Sequence, residues 1–295
     1  MSLGVLNNIA ATYAATNLSN TQASLQNVLT QLSSGSRINS GADDAAGLSL
    51  ADGLQANQSA LTQSASNVNL GVGLLQTADG ALSQVNNLLN RAVTLATEAG
   101  NGTLNGSQDA AANQEYQSIL AEISNIGSTA TFNGNQVFSG TAVNIYSGDA
   151  TTTGGATDAL TIAKLTDGNV GDAGGTISAT GTTISYTVGT GESLTGTVLT
   201  GATAAQTALT DINTAITDVA AQRGYLGSQI NTLNAISGVD STEQTNVLSA
   251  QNSIQATDFG QATSNLSKFE ILEQTGISAL SQANSVQQEV TKLLQ

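Results

Sequence analysis

The chain has 295 residues and a formal net charge of −15, from 21 acidic and 6 basic side chains. It contains no cysteine and no histidine, which excludes disulfides, thiolate chemistry and the commonest general base and metal ligand. The six basic residues are scattered singly, so the clustered positive surface that nucleic-acid binding requires is absent. We therefore expect no enzyme activity, no metal site, no cofactor and no nucleic-acid partner.

The first 30 residues have neither a basic start nor a long apolar run, so no cleaved signal peptide is expected. No stretch approaches the roughly 18 apolar residues of a membrane span, so no membrane partner is expected. Residues 1–34 contain no charged side chain, yet they show helical periodicity. Leu18, Leu25 and Leu32 recur every seven residues, and Val28 lies between the last two. This apolar track predicts the buried seam of the first helix.

A second, longer helix is predicted from about Ala42 to Ala99. Its apolar track recurs every seven residues, and such a repeat indicates packing along another helix. Gly100–Asn101–Gly102 is a turn cluster suited to the end of this helix. The track consists of Leu54, Leu61, Val68, Leu75, Leu82, Leu89 and Ala96.

A third helix is indicated by the spacing of Tyr116, Ile119, Ile123 and Ile126. After it, Phe132–Asn133–Gly134 favours a tight reversal into a strand. The middle of the chain, roughly 138–202, is rich in Gly, Thr, Ser and Asp and predicts small antiparallel strands, with a flexible polar linker as the alternative. Within it, 167–172 faintly resembles a calcium loop but lacks the downstream bidentate glutamate, so a turn is favoured.

Helical periodicity returns from about Leu209 to Leu233. We expect Ser237–Gly238–Val239 to break this helix, and a capping box at Asp240 with Glu243, or one residue later, to start another. Gly260 is the expected weak point of this last helix, which runs towards the end of the chain. Its apolar members include Ile254, Leu266, Ile277, Leu280, Val286, Val290 and Leu293.

The two terminal segments, 1–34 and 255–295, are amphipathic, and a hairpin of two helices is too thin to cover both apolar faces. An exposed apolar face usually marks an interaction site, and a contact between copies that does not close gives a helical filament. A self-contained bundle, with the ends folded back on the long helix, fits the same periodicity. Periodicity alone does not decide between them.

Five stretches resemble the helical ends of bacterial flagellins. They are RINSGADDAAGLSLADGL (37–54), EYQSILAEISNIGSTATFNG (115–134), AAQRGYLGSQINTL (220–233), ATDFGQATSNLSKFEILEQTGISALSQAN (256–284) and VQQEVTKLL (286–294). The resemblance covers about 1–140 and 203–295. It implies a mainly α fold with a small β-rich middle, in which long coiled-coil helices from both termini form discontinuous domains.

The resemblance implies three domains: a terminal coiled coil (1–40 with 255–295), a helical rod with a β-hairpin (41–140 with 203–254) and an outer segment (141–202). It further implies export by the flagellar type III apparatus and assembly of many copies into an extracellular filament for swimming. Expected partners are an export chaperone on the C-terminal helix and the hook-junction and cap proteins. A hook–filament junction protein, or a secreted monomeric coiled-coil binding module, is the alternative.

The resemblance also gives expectations for single residues. Flagellins commonly carry proline where this chain has Gln287, so a continuous terminal helix is expected. Arg91, Leu95 and Glu115 align with positions at which a Toll-like receptor binds some flagellins, with a packed polar surface as the alternative. For the self-assembly seam we expect Leu18, Leu25, Val28, Leu32, Leu266, Ile277, Leu280, Val290 and Leu293.

Two charged positions near residue 40 have local interpretations. Asp43 and Asp44 fit the start of a helix better than a metal pair, because acids are favoured in a first turn. Arg37, which precedes them, is expected either to pair with an acid or to remain solvated.

Overall fold

Five helices and six short strands are described in a computed structural model of the chain, which covers residues 8–148, 157–180 and 183–293. Side chains at positions 177, 179, 180, 183, 184 and 290–293 are outside this description. The mainly α class with a small β-rich middle is confirmed. The chain forms two compact units, one from Met1–Ala56 with Asn246–Gln295 and one from Asn57–Thr245. The division into three domains, with a separate outer segment, stays a prediction.

The helices follow the apolar periodicity closely. Helix α2 ends at the predicted glycine, and α5 continues through Gln287 without a break, as expected from the absence of proline. The bounds are α1 Ile9–Ser34, α2 Ala45–Gly100, α3 Gly106–Thr129, α4 Ala202–Gln255 and α5 Phe259–Leu293.

The core of the larger unit lies along the predicted seven-residue track of α2. From Leu61 to Ala96 every member of that track is at most 1% exposed. On α4, four residues at the same seven-residue spacing are fully buried, namely Ile212, Val219, Leu226 and Leu233. The two helices pack antiparallel, and the missing side chain of Gly71 makes room for Leu233. A bidentate ion pair from Arg223 to Asp79, at 2.7 and 3.3 Å, joins their flanks.

The predicted break at Ser237–Gly238–Val239 is wrong, because α4 runs unbroken to Gln255. Asp240 does not cap a helix; it is 6% exposed and accepts a hydrogen bond of 2.6 Å from the Ser64 hydroxyl of α2. Tertiary packing therefore overrides the local signal. The chain instead turns between α4 and α5, just before Gly260, where Asp258 caps α5 by accepting from Gln261 N at 3.1 Å.

A two-residue hairpin follows α3, as Asn133–Gly134 predicted. Strand β1 (Thr131–Phe132) pairs with β2 (Asn135–Gln136), and both turn residues have positive φ, 49° and 78°. The Phe132 ring lies on α2 at Gly73, 3.3 Å from where a Cβ would stand. The hairpin is thus anchored to the core through one aromatic side chain.

The middle forms a four-stranded sheet in the order β3-β4-β6-β5, from Ala142–Tyr146, Thr157–Thr161, Thr183–Thr187 and Thr176–Thr180 respectively. The predicted all-antiparallel pairing is wrong for one pair, because β4 and β6 are parallel. The reason lies on β6, where Tyr186 is buried and stacks on Tyr225 of α4 with ring centroids 3.5 Å apart. Anchored there, β6 takes the inner position and β5 becomes the edge.

The 167–172 segment is a turn, as favoured over a calcium loop. Thr166 and Asn169 exchange backbone hydrogen bonds of 3.1 Å across it. The Asp167 backbone nitrogen donates to the Ser124 hydroxyl of α3 at 2.8 Å. Asp172 is fully buried and accepts hydrogen bonds from the Tyr186 hydroxyl and from Gly189 N. Its carboxylate therefore holds two parts of the β-rich middle together.

Candidate self-assembly surface

The smaller unit is built around helices α1 and α5, each with a defined start. Asn8 caps α1 by accepting from Ala11 N at 3.0 Å, and Gly35 ends it in a left-handed conformation with φ 70°. Such a C-terminal glycine is the usual device for stopping a helix. The two helices contact each other along their length.

Three contacts give the pairing an antiparallel register. Asn8 Nδ2 donates to the Ala283 carbonyl at 3.0 Å, and Gln22 Nε2 donates to Glu273 Oε1 at 3.0 Å. Between them, Leu18 fits against Gly276, with Cδ1 3.3 Å from where a glycine Cβ would stand. Each step forward along α1 is matched by a step backward along α5. The hairpin expected from the two ends of the chain is therefore present.

The predicted seam residues occupy three kinds of position in the isolated chain. Val28 is buried, at 7% exposure, while Ile277 is 48% exposed. Val290 and Leu293 belong to α5, but their side chains lie outside the description. The remaining five are half-buried, namely Leu18, Leu25, Leu32, Leu266 and Leu280. The intramolecular pairing of α1 with α5 thus covers the seam only in part.

Both helices also expose large apolar side chains away from that seam. Apart from Val286, these positions were not singled out from the sequence, although the signal was available as apolar residues off the seven-residue track. A folded chain rarely exposes so many neighbouring apolar side chains unless something else covers them. They are Ile9 (60%), Tyr13 (69%) and Leu29 (47%) on α1, and Phe259 (55%), Ile271 (66%), Leu272 (43%) and Val286 (43%) on α5.

Charge is distributed unevenly between the two helices of this hairpin. Helix α1 carries no ionisable group except the exposed phenol of Tyr13. On α5, Lys268 lies 5.7 Å from the centroid of the Phe269 ring, so part of the positive charge rests on an aromatic face. Association through α1 therefore requires no charged side chain to be stripped of water, whereas α5 also carries Glu270, Glu273, Glu289 and Lys292.

The turn between α1 and α2 is fixed by Asp43 and Asp44. Asp43 Oδ2 accepts from the Asn39 and Ser40 backbone nitrogens and from the Ser40 hydroxyl, and these hydrogen bonds lower the Asp43 pKa. Asp44 Oδ1 accepts from Gly47 N at 2.8 Å in the first turn of α2. Asp44 therefore acts at the start of α2, as the helix-start interpretation expected, whereas Asp43 stabilises the turn before the helix and neither acid lies within its first turn.

Arg37 is exposed to solvent, as one of its two expected roles requires, and it also contacts the backbone of α4. Its guanidinium Nη2 donates to the Ile254 carbonyl at 2.9 Å, at the C-terminal end of α4. A cation is favoured there because the last carbonyls of a helix lack partners and carry the negative end of its dipole. Arg37 thus ties the turn after α1 to the end of α4.

The candidate receptor residues lie in the larger unit. Arg91 Nε and Glu115 Oε1 form an ion pair of 2.7 Å whose side chains are 53% and 47% exposed. This contact raises the Arg91 pKa, while the hydrogen bond from Arg91 lowers the Glu115 pKa. Leu95, by contrast, is 3% exposed and packs in the core. Of these three residues, only Arg91 and Glu115 are accessible at the surface, and Leu95 is buried.

Buried acids form the main polar feature that sequence reasoning missed. Asp158 on β4 is 2% exposed and neither of its oxygens has a hydrogen-bond partner. Burial raises the pKa of Asp158, and it raises the pKa of Asp218 as well. Nothing in the sequence pattern singled out Asp158 or Asp218, because buried acids give no periodic signal.

The described part of the chain offers little evidence for a ligand-binding, metal-binding or membrane-spanning role. An open groove of about 820 Å³ lies between the end of α2 and the start of α4, and Glu98 is the one ionisable residue lining it. Within the same portion no three Asp or Glu side chains converge as metal ligands. Two described helices exceed fifty residues, yet none carries a stretch apolar enough to cross a bilayer.

Comparison with known proteins matches both helical ends of the chain. The family model described as the bacterial flagellin N-terminal helical region covers residues 5–143, and the one for the C-terminal helical region covers 209–294. Flagellin 1 of Proteus mirabilis is 41% identical over 124 residues, which is 42% of this chain and 34% of the relative. Phase 1 flagellin of Salmonella naestved is 42% identical over 123 residues, which is 42% of this chain and 24% of the relative.

Among solved structures, the chain resembles one titled as a putative flagellar hook-associated protein from Vibrio parahaemolyticus. The TM-score is 0.52 at 18% identity, over 72% of this chain and all of the other. At that identity the likeness shows a shared fold.

Proposed function

The chain belongs to the bacterial flagellin family, and from this premise we propose that it is a structural subunit whose copies polymerise into the flagellar filament for swimming. The observation that carries the proposal is the exposed apolar surface of the α1–α5 hairpin. Seven large apolar side chains away from the seam, and Ile277 on it, stay exposed there after the two helices have paired. Neighbouring copies are the occupants that would cover them.

The net charge of the chain predicts how assembly depends on the salt concentration. At −15 per subunit, like copies repel each other at low ionic strength. Salt screens this repulsion, and sulfate also strengthens apolar burial. Polymerisation should therefore start at lower protein concentration as the sulfate concentration rises.

Electron microscopy of purified protein, with light scattering as sulfate is added, tests the proposal. Tubes of uniform diameter that lengthen after seeding with their own fragments are the expected result. A chain that stays monomeric at every salt concentration would favour a secreted coiled-coil binding module. Short assemblies that stop growing would favour a hook–filament junction protein.

The domain and partner proposals follow from the same surface. We place the seam in a terminal domain (1–40 with 255–295), beside a helical rod domain (41–140 with 203–254) and an outer segment (141–202). Exposed Ile271, Leu272 and Val286 on α5 need cover before assembly, which supports an export chaperone on this helix. Hook-junction and cap proteins would meet the same helices at the two ends of a filament.

Recognition by a Toll-like receptor is a separate proposal that concerns Arg91 and Glu115. Their ion pair is exposed and accessible to a partner, whereas buried Leu95 would act by supporting the helix beneath it. Receptor signalling by monomeric protein should fall in Arg91→Ala. A signal equal to that of the unmodified chain would leave these residues as ordinary surface of the unit.

A further inference from the structure

Asparagine precedes glycine at three places in the chain, Asn101–Gly102, Asn105–Gly106 and Asn133–Gly134. In such a pair the glycine backbone nitrogen can attack the side-chain carbonyl carbon Cγ, because glycine has no Cβ to hinder the approach. The new C–N bond closes a succinimide ring while the Cγ–Nδ2 bond breaks and ammonia leaves. Water then opens the ring, giving aspartate or isoaspartate. Attack requires a glycine nitrogen and an asparagine side chain that are both free to move.

Asn105 is held by the start of α3. Its Oδ1 accepts from the backbone nitrogens of Ser107 and Gln108, each at 3.1 Å, and Gln108 reaches back to the Asn105 nitrogen. This reciprocal capping box orients the side chain towards the helix. The following Gly106 is the first residue of a 24-residue helix, so rotation at this pair would disturb the helix itself.

Asn101 is held less tightly, but its glycine nitrogen is occupied. Gly102 N donates to the Ala99 carbonyl at 3.3 Å. The Asn101 side chain donates through Nδ2 to the Thr103 hydroxyl at 3.2 Å. Both reacting groups are therefore engaged in the turn that ends α2.

Asn133 differs from both. It is exposed at the tip of the β1–β2 hairpin, and across the described ranges neither its side chain nor Gly134 N has a hydrogen-bond partner. Open space surrounds Gly134, with nothing within 4 Å of an added Cβ. Each flanking strand has two residues, so few hydrogen bonds oppose local opening of the turn.

We propose that Asn133 is a site of spontaneous deamidation, converting to aspartate and isoaspartate faster than the other two asparagines. The inference is independent of the proposed function. Deamidation adds one negative charge at the hairpin tip. Isoaspartate also inserts a methylene into the backbone beside Phe132, whose ring is fitted against Gly73. The modified hairpin therefore loses its register and its anchor on α2.

The test is to incubate the full folded chain at pH 7 and pH 9, digest it and follow each asparagine by mass spectrometry. The peptide containing Asn133 should gain the mass change of NH replaced by O several-fold faster than those containing Asn101 and Asn105. The rate should rise with pH because attack requires loss of the Gly134 amide proton. In urea the three sites should react at similar rates, since there the fold no longer distinguishes them.

The matched control is Asn133→Gly, which keeps a residue suited to positive φ and removes the reactive amide. Its hairpin peptide should show no mass gain. Three results would overturn the proposal: Asn101 or Asn105 reacting as fast as Asn133 in the folded chain, the same selectivity in urea, or an undiminished gain in the Asn133→Gly peptide.

Discussion

Replacing Ile271 with serine isolates the contribution of one exposed apolar side chain to assembly. Ile271 lies on α5 and is 66% exposed in the isolated chain. Full burial of an isoleucine contributes about 1.5–3 kcal/mol, so covering its exposed part contributes about 1–2 kcal/mol. Because about 1.4 kcal/mol corresponds to a factor of ten in an equilibrium constant, Ile271→Ser should raise the critical concentration for polymerisation by about 5- to 30-fold.

The assay is seeded growth at fixed salt, with the protein left in solution after sedimentation giving the critical concentration. The thermal midpoint of the monomer should hardly change, because the substituted side chain has little burial to lose within one chain. Val239→Ser is the matched control, since Val239 is 63% exposed but lies in the other unit. An unchanged critical concentration in Ile271→Ser, or an equal rise in Val239→Ser, would refute the assignment of assembly to the α1–α5 hairpin.

Three further predictions concern the helix pair, an ion pair and a buried acid. Leu280→Asp puts a charge at a half-buried position of α5, so it should abolish polymerisation while the larger unit keeps its cooperative unfolding transition. Normal filaments from this variant would contradict the model. Asp79→Asn should lower the urea-determined free energy of unfolding by about 0.5–1 kcal/mol, a small loss because the Arg223–Asp79 side chains are 36% and 40% exposed; a double-mutant cycle with Arg223→Met should return the same coupling. Burial raises the pKa of Asp158 above its ordinary 3.8, so ionisation of this carboxyl lowers the stability of the folded chain. The loss of stability is absent below pH 3.8, grows as the pH rises, and is complete above the raised pKa. Asp158→Asn should therefore be more stable than the natural chain at pH 7 and equal to it at pH 3 in thermal melts, and a constant difference at both values would rule out this titration.

Long apolar periodicity made much of the fold predictable. The track from Leu61 to Leu89 reported burial correctly because a seven-residue repeat needs a partner helix along its whole length. The hairpin at Asn133–Gly134 was also predictable, because the turn depends only on two neighbouring residues that tolerate positive φ.

Features set by contacts between distant residues could not be read from the sequence. Asp240 carries a capping signal, but its carboxylate accepts a hydrogen bond from the Ser64 hydroxyl in the α2–α4 interface, and the helix continues without a break. The inner position of β6 depends on the stacking of Tyr186 on Tyr225, which no strand pattern reveals. For the candidate site, heptad reasoning marked a seam of which five residues are half-buried, yet it passed over the exposed Ile271, which lies outside the track.

The antiparallel register of α1 and α5 also determines when the chain can fold during synthesis. Asn8 and Ala283 are 275 positions apart, which takes a ribosome between about 14 and 55 s at roughly 5–20 residues per second. For most of that interval, from the end of α1 at Ser34 to the start of α5 at Phe259, the apolar stripe of α1 has been made but its partner helix has not. The apolar stripe of nascent α1 therefore needs a temporary binding partner to shield it from water. Any delay in elongation lengthens the time during which the unpaired helix can aggregate.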